Sequence, residues 1–377
     1  MIKRILYTLL IMFPVLASAQ INTDRVMAIG RNALYFEDYV LSIQYFNQVI
    51  NAKPYLSDPY FYRGLAKINL DDFQGAESDC SEAIERNPFV VSAYQVRGLA
   101  RIQQNNFAGA IEDYTKALEF DPENIGVWHN MALCRIRQED YKGAKNDLDK
   151  LIAISPRYTK AYLMRGEVDL KQKDTLAAEK DFGKAIEIDR YDADTWASRA
   201  ILRLQQQRYK DAEADFDHAI RLSTRNSGVY INRALARYHQ NNLRGAMSDY
   251  DIALDIDPNN FIGHYNRGLL RAQVGDDNRA IQDFNFVIEM EPDNMMAIFN
   301  RGLLLDQTGD YKGAIKDYST VINEYPNFLL GYQYRAQARR KIGDVKGADA
   351  DEFKVLKAQL DKQNGVDPNK QTADNTE

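Results

Sequence analysis

From residue 23 onward, apolar and polar residues alternate at helical spacing in short segments of about a dozen residues. Pairs of turn-forming residues separate these segments, among them Asp71-Asp72, Asn105-Asn106 and Gly275-Asp276. Each segment has one apolar face, the pattern of an amphipathic helix that packs against a neighbour. The sequence therefore predicts an all-α chain in which short helices are joined by tight turns.

The pattern repeats every 34 residues. Prolines recur at this spacing, or at three times it, at Pro54, Pro88, Pro122, Pro156, Pro258, Pro292 and Pro326. Arg190 and Thr224 occupy the two slots without proline. With proline at position 32, ten units of two helices run from 23–56 to 329–362, and proline ends the second helix.

Three positions in the unit hold residues of one kind. Position 8 is always Gly or Ala, and position 20 is Ala in every unit except the first, which has Ser42. Position 24 is aromatic in most units, from Phe46 and Tyr114 to Tyr318, which explains part of the count of 23 tyrosines. Small residues at two fixed positions indicate helices that cross closely, and the aromatic rings are expected to fill the gaps between them.

These features resemble the tetratricopeptide repeat (TPR): small residues at 8 and 20, an aromatic at 24 and proline at 32. The segment 261–294 resembles it most clearly, and the resemblance covers 340 of the 377 residues. It implies a right-handed superhelical solenoid of ten helix-turn-helix repeats, with the first helix of each pair lining a concave groove. It implies no single activity, because such arrays are general scaffolds for proteins and peptides.

The two ends of the array depart from the pattern. The first unit has Val26 at position 4, and the last has Leu360 in place of proline. The second helix of the last unit, expected over 345–360, is rich in Lys, Asp and Gln, which would suit a solvated end. Residues 363–377 are polar and are expected to form a disordered tail.

Arginine and aspartate recur together along the array. Position 7 is arginine in eight units and position 23 is aspartate in nine. We expect each arginine to pair with the aspartate of its own unit, which leaves Asp147, opposite Met131, without a partner. The alternatives are pairing with the next unit, or a basic stripe that binds an anionic ligand.

Composition narrows the function. Acidic residues outnumber basic ones by 54 to 48, which argues against nucleic-acid binding. The four histidines fall at different positions of different units, so we expect no metal site, and no cofactor or catalytic motif is present. Cys80 and Cys134 lie two repeats apart and are expected to be free, buried thiols.

The first residues resemble a secretory signal peptide. Lys3 and Arg4 precede an apolar run from Ile5 to Leu16 and the small residues Ala17-Ser18-Ala19. About twelve apolar residues are too few to span a bilayer. We therefore expect residues 1–19 to be removed, leaving an exported bacterial protein without a membrane span, in the periplasm or associated with the outer membrane.

The groove offers one candidate binding site. Position 6 holds Asn130 and, in three consecutive units, Asn232, Asn266 and Asn300, an arrangement similar to the asparagine ladders of O-linked N-acetylglucosamine transferases. Asparagine can pair with the N–H and C=O groups of an extended peptide without reading its side chains. The predicted groove also includes Tyr265, Phe299, His239, Gln273 and Gln307.

The sequence thus favours a non-catalytic, exported scaffold that binds proteins or peptides in a cell-envelope assembly, secretion or uptake complex. Leucine dominates position 9, where the family's carboxylate clamp requires asparagine, so docking of a chaperone's C-terminus is unsupported. The alternative is a regulatory or accessory subunit of a separate enzyme. The ligand and the oligomeric state stay open.

Overall fold

The structure, a computed structural model, describes residues 22–223 and 225–363. The predicted leader and residues 364–377 of the predicted tail lie outside the described residues. The chain divides into two compact units at Asp189 and Arg190. The described residues of both units contain α-helices and no strand, which confirms the predicted all-α fold.

The first unit contains five helix hairpins. Its helices are α1 Thr23–Tyr35, α2 Tyr39–Ala52, α3 Asp58–Ile68, α4 Phe73–Arg86, α5 Val91–Gln103, α6 Phe107–Phe120, α7 Ile125–Arg137, α8 Tyr141–Ile154, α9 Thr159–Lys171 and α10 Thr175–Ile188. Odd-numbered helices are the first of each repeat and even-numbered helices the second. Each helix packs on its hairpin partner and on the next hairpin of the unit.

The second unit contains five more hairpins of the same kind. Its helices are α11 Ala193–Gln205, α12 Tyr209–Leu222, α13 Ser227–His239, α14 Leu243–Ile256, α15 Phe261–Gln273, α16 Asp277–Met290, α17 Met295–Thr308, α18 Tyr311–Glu324, α19 Leu329–Lys341 and α20 Val345–Gln363. We number the hairpins of the two units as repeats 1 to 10 in chain order.

The turn inside each hairpin is built the same way. The residue at position 15 has a positive φ, from Glu37 with 62° to Gly343 with 82°. The next residue is usually Asp or Asn and caps the second helix: Oδ1 of Asp72 accepts a hydrogen bond from the backbone N–H of Gly75 at 2.9 Å. This side chain satisfies a donor that the first turn of a helix would otherwise leave unpaired.

The core of each repeat is the contact between positions 8 and 24. Tyr114, Phe182 and Tyr318 are fully buried, as the aromatic pattern predicts. A Cβ atom added at Gly98 would lie 2.7 Å from Cε1 of Tyr114, so the ring occupies the space of a side chain. Close helix contact therefore explains why position 8 admits only Gly and Ala.

Second helices end at position 30 whether or not proline follows. The helices before Pro88 and Pro122 end at Arg86 and Phe120, and α10, which precedes Arg190, also ends two residues earlier. Proline therefore reinforces the turn between one repeat and the next, which forms in its absence as well. The last helix of the described residues, α20, continues to Gln363, three residues beyond its predicted end.

The predicted polar end of the array is only partly present. Glu352 of α20 is exposed at the position that is aromatic in most other repeats. However, the same helix also exposes Phe353, Leu356 and Leu360, with exposed fractions of 67%, 53% and 48%. The polar residues that the sequence predicted for this helix are therefore accompanied by three exposed apolar side chains.

Candidate functional site

The predicted pairing of position 7 with position 23 inside each repeat is confirmed. In all eight repeats with both residues, the arginine donates to its own aspartate, with N–O distances of 2.5 to 2.8 Å. The pairs are Arg63–Asp79, Arg97–Asp113, Arg165–Asp181, Arg199–Asp215, Arg233–Asp249, Arg267–Asp283, Arg301–Asp317 and Arg335–Asp351. We call these pairs the ion-pair ladder.

The ladder is not a site for anions. Its arginine side chains are only 12 to 23% exposed, and its aspartates 1 to 7%. In most pairs Nε and Nη2 of the arginine reach the two carboxylate oxygens, for example in Arg267–Asp283. Because the guanidinium groups are already bound to carboxylates, the alternative of a basic ligand-binding stripe fails.

A second basic residue, at position 11, strengthens most pairs. It lies one turn after position 7 on the first helix and donates to the same aspartate. Arg271 reaches Asp283 at 2.8 Å and Arg339 reaches Asp351 at 2.8 Å. Lys or Arg occupies position 11 in seven repeats, a recurrence that the pairing predicted from positions 7 and 23 does not include.

The prediction that Asp147 has no partner is wrong, because the basic residue at position 11 reaches it. This carboxylate accepts a hydrogen bond from Nε of Arg135 at 2.7 Å, so it has a partner despite facing Met131. Burial is the largest influence on Asp147 and raises its pKa to about 6, because Arg135 offsets only part of the lost hydration. Asp283 is also penalised by burial, but hydrogen bonds from His264 and Arg267 lower its pKa below the ordinary value.

The ladder also links neighbouring repeats within each unit. Nη1 of Arg267 donates to Oδ1 of Asp251, at position 25 of the preceding repeat, across 2.9 Å. Arg233 makes the same contact with Asp217 at 2.7 Å. Each such arginine therefore fixes both its own hairpin and the stacking of that hairpin on the one before.

Another link joins position 21 to position 11 of the next repeat. Arg101 donates to Glu77 at 2.8 Å, and Arg237 makes the same contact with Glu213. Between repeats 4 and 5 the signs are exchanged, since Lys145 donates to Asp169. The reversed pair therefore makes the same contact with the acidic and basic residues exchanged between the two repeats.

The candidate groove face consists of the first helices of repeats 7 to 9, α13, α15 and α17. Position 9 of these helices is leucine, and Leu269 is 39% exposed. Position 6 is asparagine, and Asn232, Asn266 and Asn300 are all partly exposed. Leucine and asparagine on one helix face give the surface both apolar and hydrogen-bonding character.

The asparagines have different surroundings. Nδ2 of Asn300 donates to the hydroxyl of Tyr265 at 3.2 Å, so this amide is already engaged. In unit 1, the Asn130 amide lies beside the hydroxyl of buried Tyr114 and partly offsets the rise in that hydroxyl's pKa that burial causes. In the described part of the chain, the side chains of Asn232 and Asn266 form no hydrogen bond. In repeats 7 to 9, the amides of Asn232 and Asn266 are therefore the asparagines at position 6 that can pair with a ligand.

The two aromatic candidates differ in accessibility. Tyr265 is half-buried and packs edge-on against Phe284, with the ring centroids 5.8 Å apart. Phe299 is only 9% exposed and contacts Phe328 and Tyr334 in the core of repeats 9 and 10. The structure thus differs from the predicted contact of Phe299 along the groove, because core packing uses most of its ring.

The remaining candidates lie at position 13 and are exposed. Gln273 and Gln307 point away from the core at the ends of α15 and α17. His239 lies flat on the ring of Tyr209, with centroids 4.5 Å apart and an angle of 9° between the planes. One face of this imidazole is therefore covered, while its edge stays accessible.

Repeat 9 contains an apolar pocket whose lining, apart from Phe299, was not among the predicted groove residues. Its volume is about 240 Å³, and its lining includes Met295, Met296, Phe299, Tyr325 and Phe328. Met296 is 64% exposed, and methionine side chains adapt to varied apolar ligands. The adjacent methionines were a visible signal, but only the fold brings them next to Tyr325.

The other side-chain predictions concern cysteine and histidine. Cys80 and Cys134 are free and buried, as predicted, and burial raises their pKa values to about 12 and about 11. Within 22–223 and 225–363, no group of three His, Cys, Asp or Glu side chains could hold a metal ion. Each histidine instead packs against an aromatic ring.

Comparison with known families identifies the class of this protein as a helical-repeat scaffold. A TPR repeat model matches residues 98–134, and tetratricopeptide repeat models match 125–158, 159–192, 198–261 and 265–327. Together these ranges cover more than half of the chain. The chain belongs to the tetratricopeptide repeat family, whose members serve as scaffolds for protein–protein interaction.

Solved structures show the same fold at low sequence identity. A tetratricopeptide repeat protein from Parabacteroides merdae is 21% identical, covers 66% of this chain and 98% of its own, and has a TM-score of 0.51. The C-terminal part of a TPR repeat-containing protein from Cytophaga hutchinsonii is 17% identical, covers 63% and 97%, and has a TM-score of 0.52. No curated protein sequence matches this chain.

None of the helices in the described residues combines the length and the apolar character needed to cross a membrane.

Proposed function

We propose that this protein is a non-catalytic scaffold that binds an extended peptide or protein segment along α13, α15 and α17. The free amides of Asn232 and Asn266 carry this proposal. They lie at the same position of consecutive first helices, and each offers both a donor and an acceptor. A backbone in extended conformation presents matching groups at regular spacing.

The apolar surface beside the asparagines supports the same function. Leu269 lies three residues after Asn266 on α15 and is partly exposed, and the pocket around Met296 lies in the following repeat. An apolar side chain of the ligand would fill this pocket while the amides hold its backbone. Backbone pairing supplies affinity without sequence selection, and the pocket adds selectivity for one side chain.

We further propose that the protein acts after export, in a cell-envelope assembly, secretion or uptake complex. The basic start, the apolar run and the Ala17-Ser18-Ala19 segment support removal of the first 19 residues. The periplasm, or the periplasmic side of the outer membrane, is the proposed location. The alternative role as an accessory subunit of a separate enzyme uses the same groove with a different partner.

Affinity capture tests the function directly. Residues 20–377 are immobilised and exposed to envelope and soluble extracts of the source cells, and the bound proteins are identified by mass spectrometry. The proposal expects an envelope partner that Asn232→Ala combined with Asn266→Ala fails to retain. Capture of one soluble enzyme would favour the accessory-subunit role, and retention by the double variant at wild-type strength would contradict the proposed groove.

A matched control separates the groove from the rest of the surface. Asp255, Glu289 and Asn323 lie on the second helices of the same three repeats and are exposed. Their combined change to alanine removes three polar side chains outside the groove, one more than the double variant removes within it. This variant should capture the partner as the wild type does.

A further inference from the structure

Internal junctions between repeats follow one rule within each unit. The residue at position 7 contacts the residue at position 25 of the preceding repeat, and both are polar at seven junctions. At the junction with Met131, the methionine still lies against Thr115 at the same two positions. This contact is therefore a regular part of the way one repeat stacks on another.

Two apolar contacts accompany it at the junctions. The branched residue at position 28 packs beside the residue at position 4 of the next repeat, as Ile84 does beside Tyr94 and Ile288 beside Ile298. Position 4 also approaches position 32 of the preceding repeat: Tyr162 donates a hydrogen bond from its hydroxyl to the carbonyl oxygen of Pro156 at 3.0 Å. Positions 4 and 7 thus meet positions 25, 28 and 32.

The first and the last repeat change these positions together. Repeat 1 has Ile29 at position 7 instead of arginine and Val26 at position 4 instead of an aromatic residue. Repeat 10 has Phe353 at position 25 and Leu360 at position 32, where other repeats have mainly polar residues and proline. Phe353 is 67% exposed and Ile29 36%, so both contribute apolar surface at the ends of the described chain.

A third contact joins position 14 to position 17 of the preceding repeat. Inside the array, Gln104 at position 14 donates to the carbonyl oxygen of Phe73 at position 17 of the preceding repeat. At the ends, these positions hold Phe36, which is 77% exposed, and Val345, which is 53% exposed. At these three contacts, the two ends of the described chain offer apolar side chains.

We propose that the chain self-associates head to tail, with repeat 1 of one copy stacking on repeat 10 of a second copy. In this contact Ile29 covers Phe353, Val26 lies between Leu356 and Leu360, and Phe36 covers Val345. The buried apolar area drives the association, and the internal junctions supply its geometry. Because the two surfaces differ, the contact is heterologous, and a dimer keeps one unpaired surface of each kind. Further copies can therefore add at both ends of the oligomer.

A second copy fits these surfaces better than the chain's own C-terminal residues. Residues 364–377 contain Val366 as their single large aliphatic side chain and no aromatic residue, which is too little to cover three exposed apolar residues. A second C-terminal end would bring Phe353 onto Phe353 and leave the N-terminal surface exposed. Only the head-to-tail arrangement covers both ends at once.

Sedimentation velocity of residues 20–377, from about 1 to about 100 µM, tests the proposal. The weight-average mass is expected to rise with concentration beyond that of a dimer. Ile29→Arg and Phe353→Asp should each raise the concentration needed for association at least about tenfold, since each places a charge against an apolar surface. Both changes in one chain should restore association, because the new pair reproduces the internal contact of Arg267 with Asp251.

Controls and contrary results are equally defined. Leu176, 80% exposed and remote from both ends, provides Leu176→Asp, which should associate as the wild type does. Circular dichroism should show the same helical content for every variant. A monomer across the concentration range would overturn the proposal. Loss of association with Phe353→Asp but not with Ile29→Arg would indicate pairing of two C-terminal ends and overturn it too, as would a double variant no better than the singles.

Discussion

Arg135 donates a hydrogen bond from Nε to Oδ2 of Asp147 across 2.7 Å, although repeat 4 lacks the arginine that partners this aspartate in eight other repeats. Met131 occupies that arginine's position. In repeat 4 one basic residue of the first helix pairs with the aspartate at position 23, whereas in repeat 8 both Arg267 and Arg271 do so. The buried charge of Asp147 is therefore compensated by fewer basic residues than that of the aspartate in repeat 8.

Because the buried carboxylate of Asp147 is only partly compensated, we expect Asp147→Asn not to lower the free energy of unfolding at pH 7. The pKa of Asp147 is raised to about 6, so the folded state holds this proton more tightly than the unfolded state, where aspartate titrates near 4. At pH 7 the buried charge costs stability, and the variant should be as stable as the wild type or more stable, by about 1 to 3 kcal/mol.

Lowering the pH should reverse that order. As pH falls from 7 towards 5, the wild type gains stability relative to Asp147→Asn because its folded state takes up the proton. Urea unfolding at pH 7, 6 and 5 measures the difference. A variant that is less stable by a constant amount at all three values would contradict this account of repeat 4.

Asp283→Asn should behave in the opposite way. His264, Arg267 and Arg271 all donate to this carboxylate, and the net effect lowers its pKa. At pH 7 the free energy of unfolding should fall by about 2 kcal/mol in the variant. The buried basic side chains would then face a neutral amide instead of a carboxylate that compensates their charge. The loss should shrink below about pH 4, where the unfolded wild type binds a proton first.

The contrast with Asp147→Asn provides the control for Asp283→Asn, because both changes are isosteric and occur at position 23. An unchanged unfolding midpoint and unchanged helical content for Asp283→Asn would show that the ion-pair ladder does not stabilise the hairpins.

Position 8 gives a prediction about packing. Gly98→Ala should destabilise the protein by about 1 to 3 kcal/mol, because its Cβ would lie 2.7 Å from the buried ring of Tyr114. Gly126 also lies in a helix, but a Cβ atom there would come no closer than 3.5 Å to Oδ1 of Asn124, so Gly126→Ala should be neutral or slightly stabilising. Equal effects of the two changes on thermal unfolding would exclude tight packing as the reason for glycine at position 8.

The hairpin turns predict an effect of backbone conformation alone. Gly309 has φ of 93°, and a Cβ atom there would meet nothing within 4 Å. Gly309→Ala should nevertheless cost about 1 kcal/mol, since alanine avoids this conformation. At the equivalent Lys173, with φ of 64°, Lys173→Gly should be stabilising or neutral. Denaturant unfolding of both variants checks the opposite signs.

The sequence was sufficient for the fold because the constraints repeat. Glycine at position 8 and an aromatic at position 24 recur in enough copies to show which helix faces meet, and the Arg–Asp pairing followed from counting unpaired residues. Arg135 was missed because the count considered one basic position. A residue one helical turn away reaches the same carboxylate.

The groove was less predictable, because its residues do not repeat for a structural reason. Nothing in the sequence distinguishes Asn300, whose amide binds the Tyr265 hydroxyl, from Asn266, whose amide is free. Likewise, Phe299 follows the same register as Tyr265 but lies in the core, since Phe328 and Tyr334 surround it. Such differences depend on neighbours from other repeats.

The most direct test of the proposed function is the affinity of the captured partner for the variant with Asn232→Ala and Asn266→Ala, measured by isothermal titration calorimetry. Each lost hydrogen bond should cost about 0.5 to 1.5 kcal/mol, so the Kd is expected to rise about tenfold. The control with Asp255, Glu289 and Asn323 changed to alanine should keep the wild-type Kd. Wild-type affinity in the double variant, with its helical content intact, would contradict peptide binding through these asparagines.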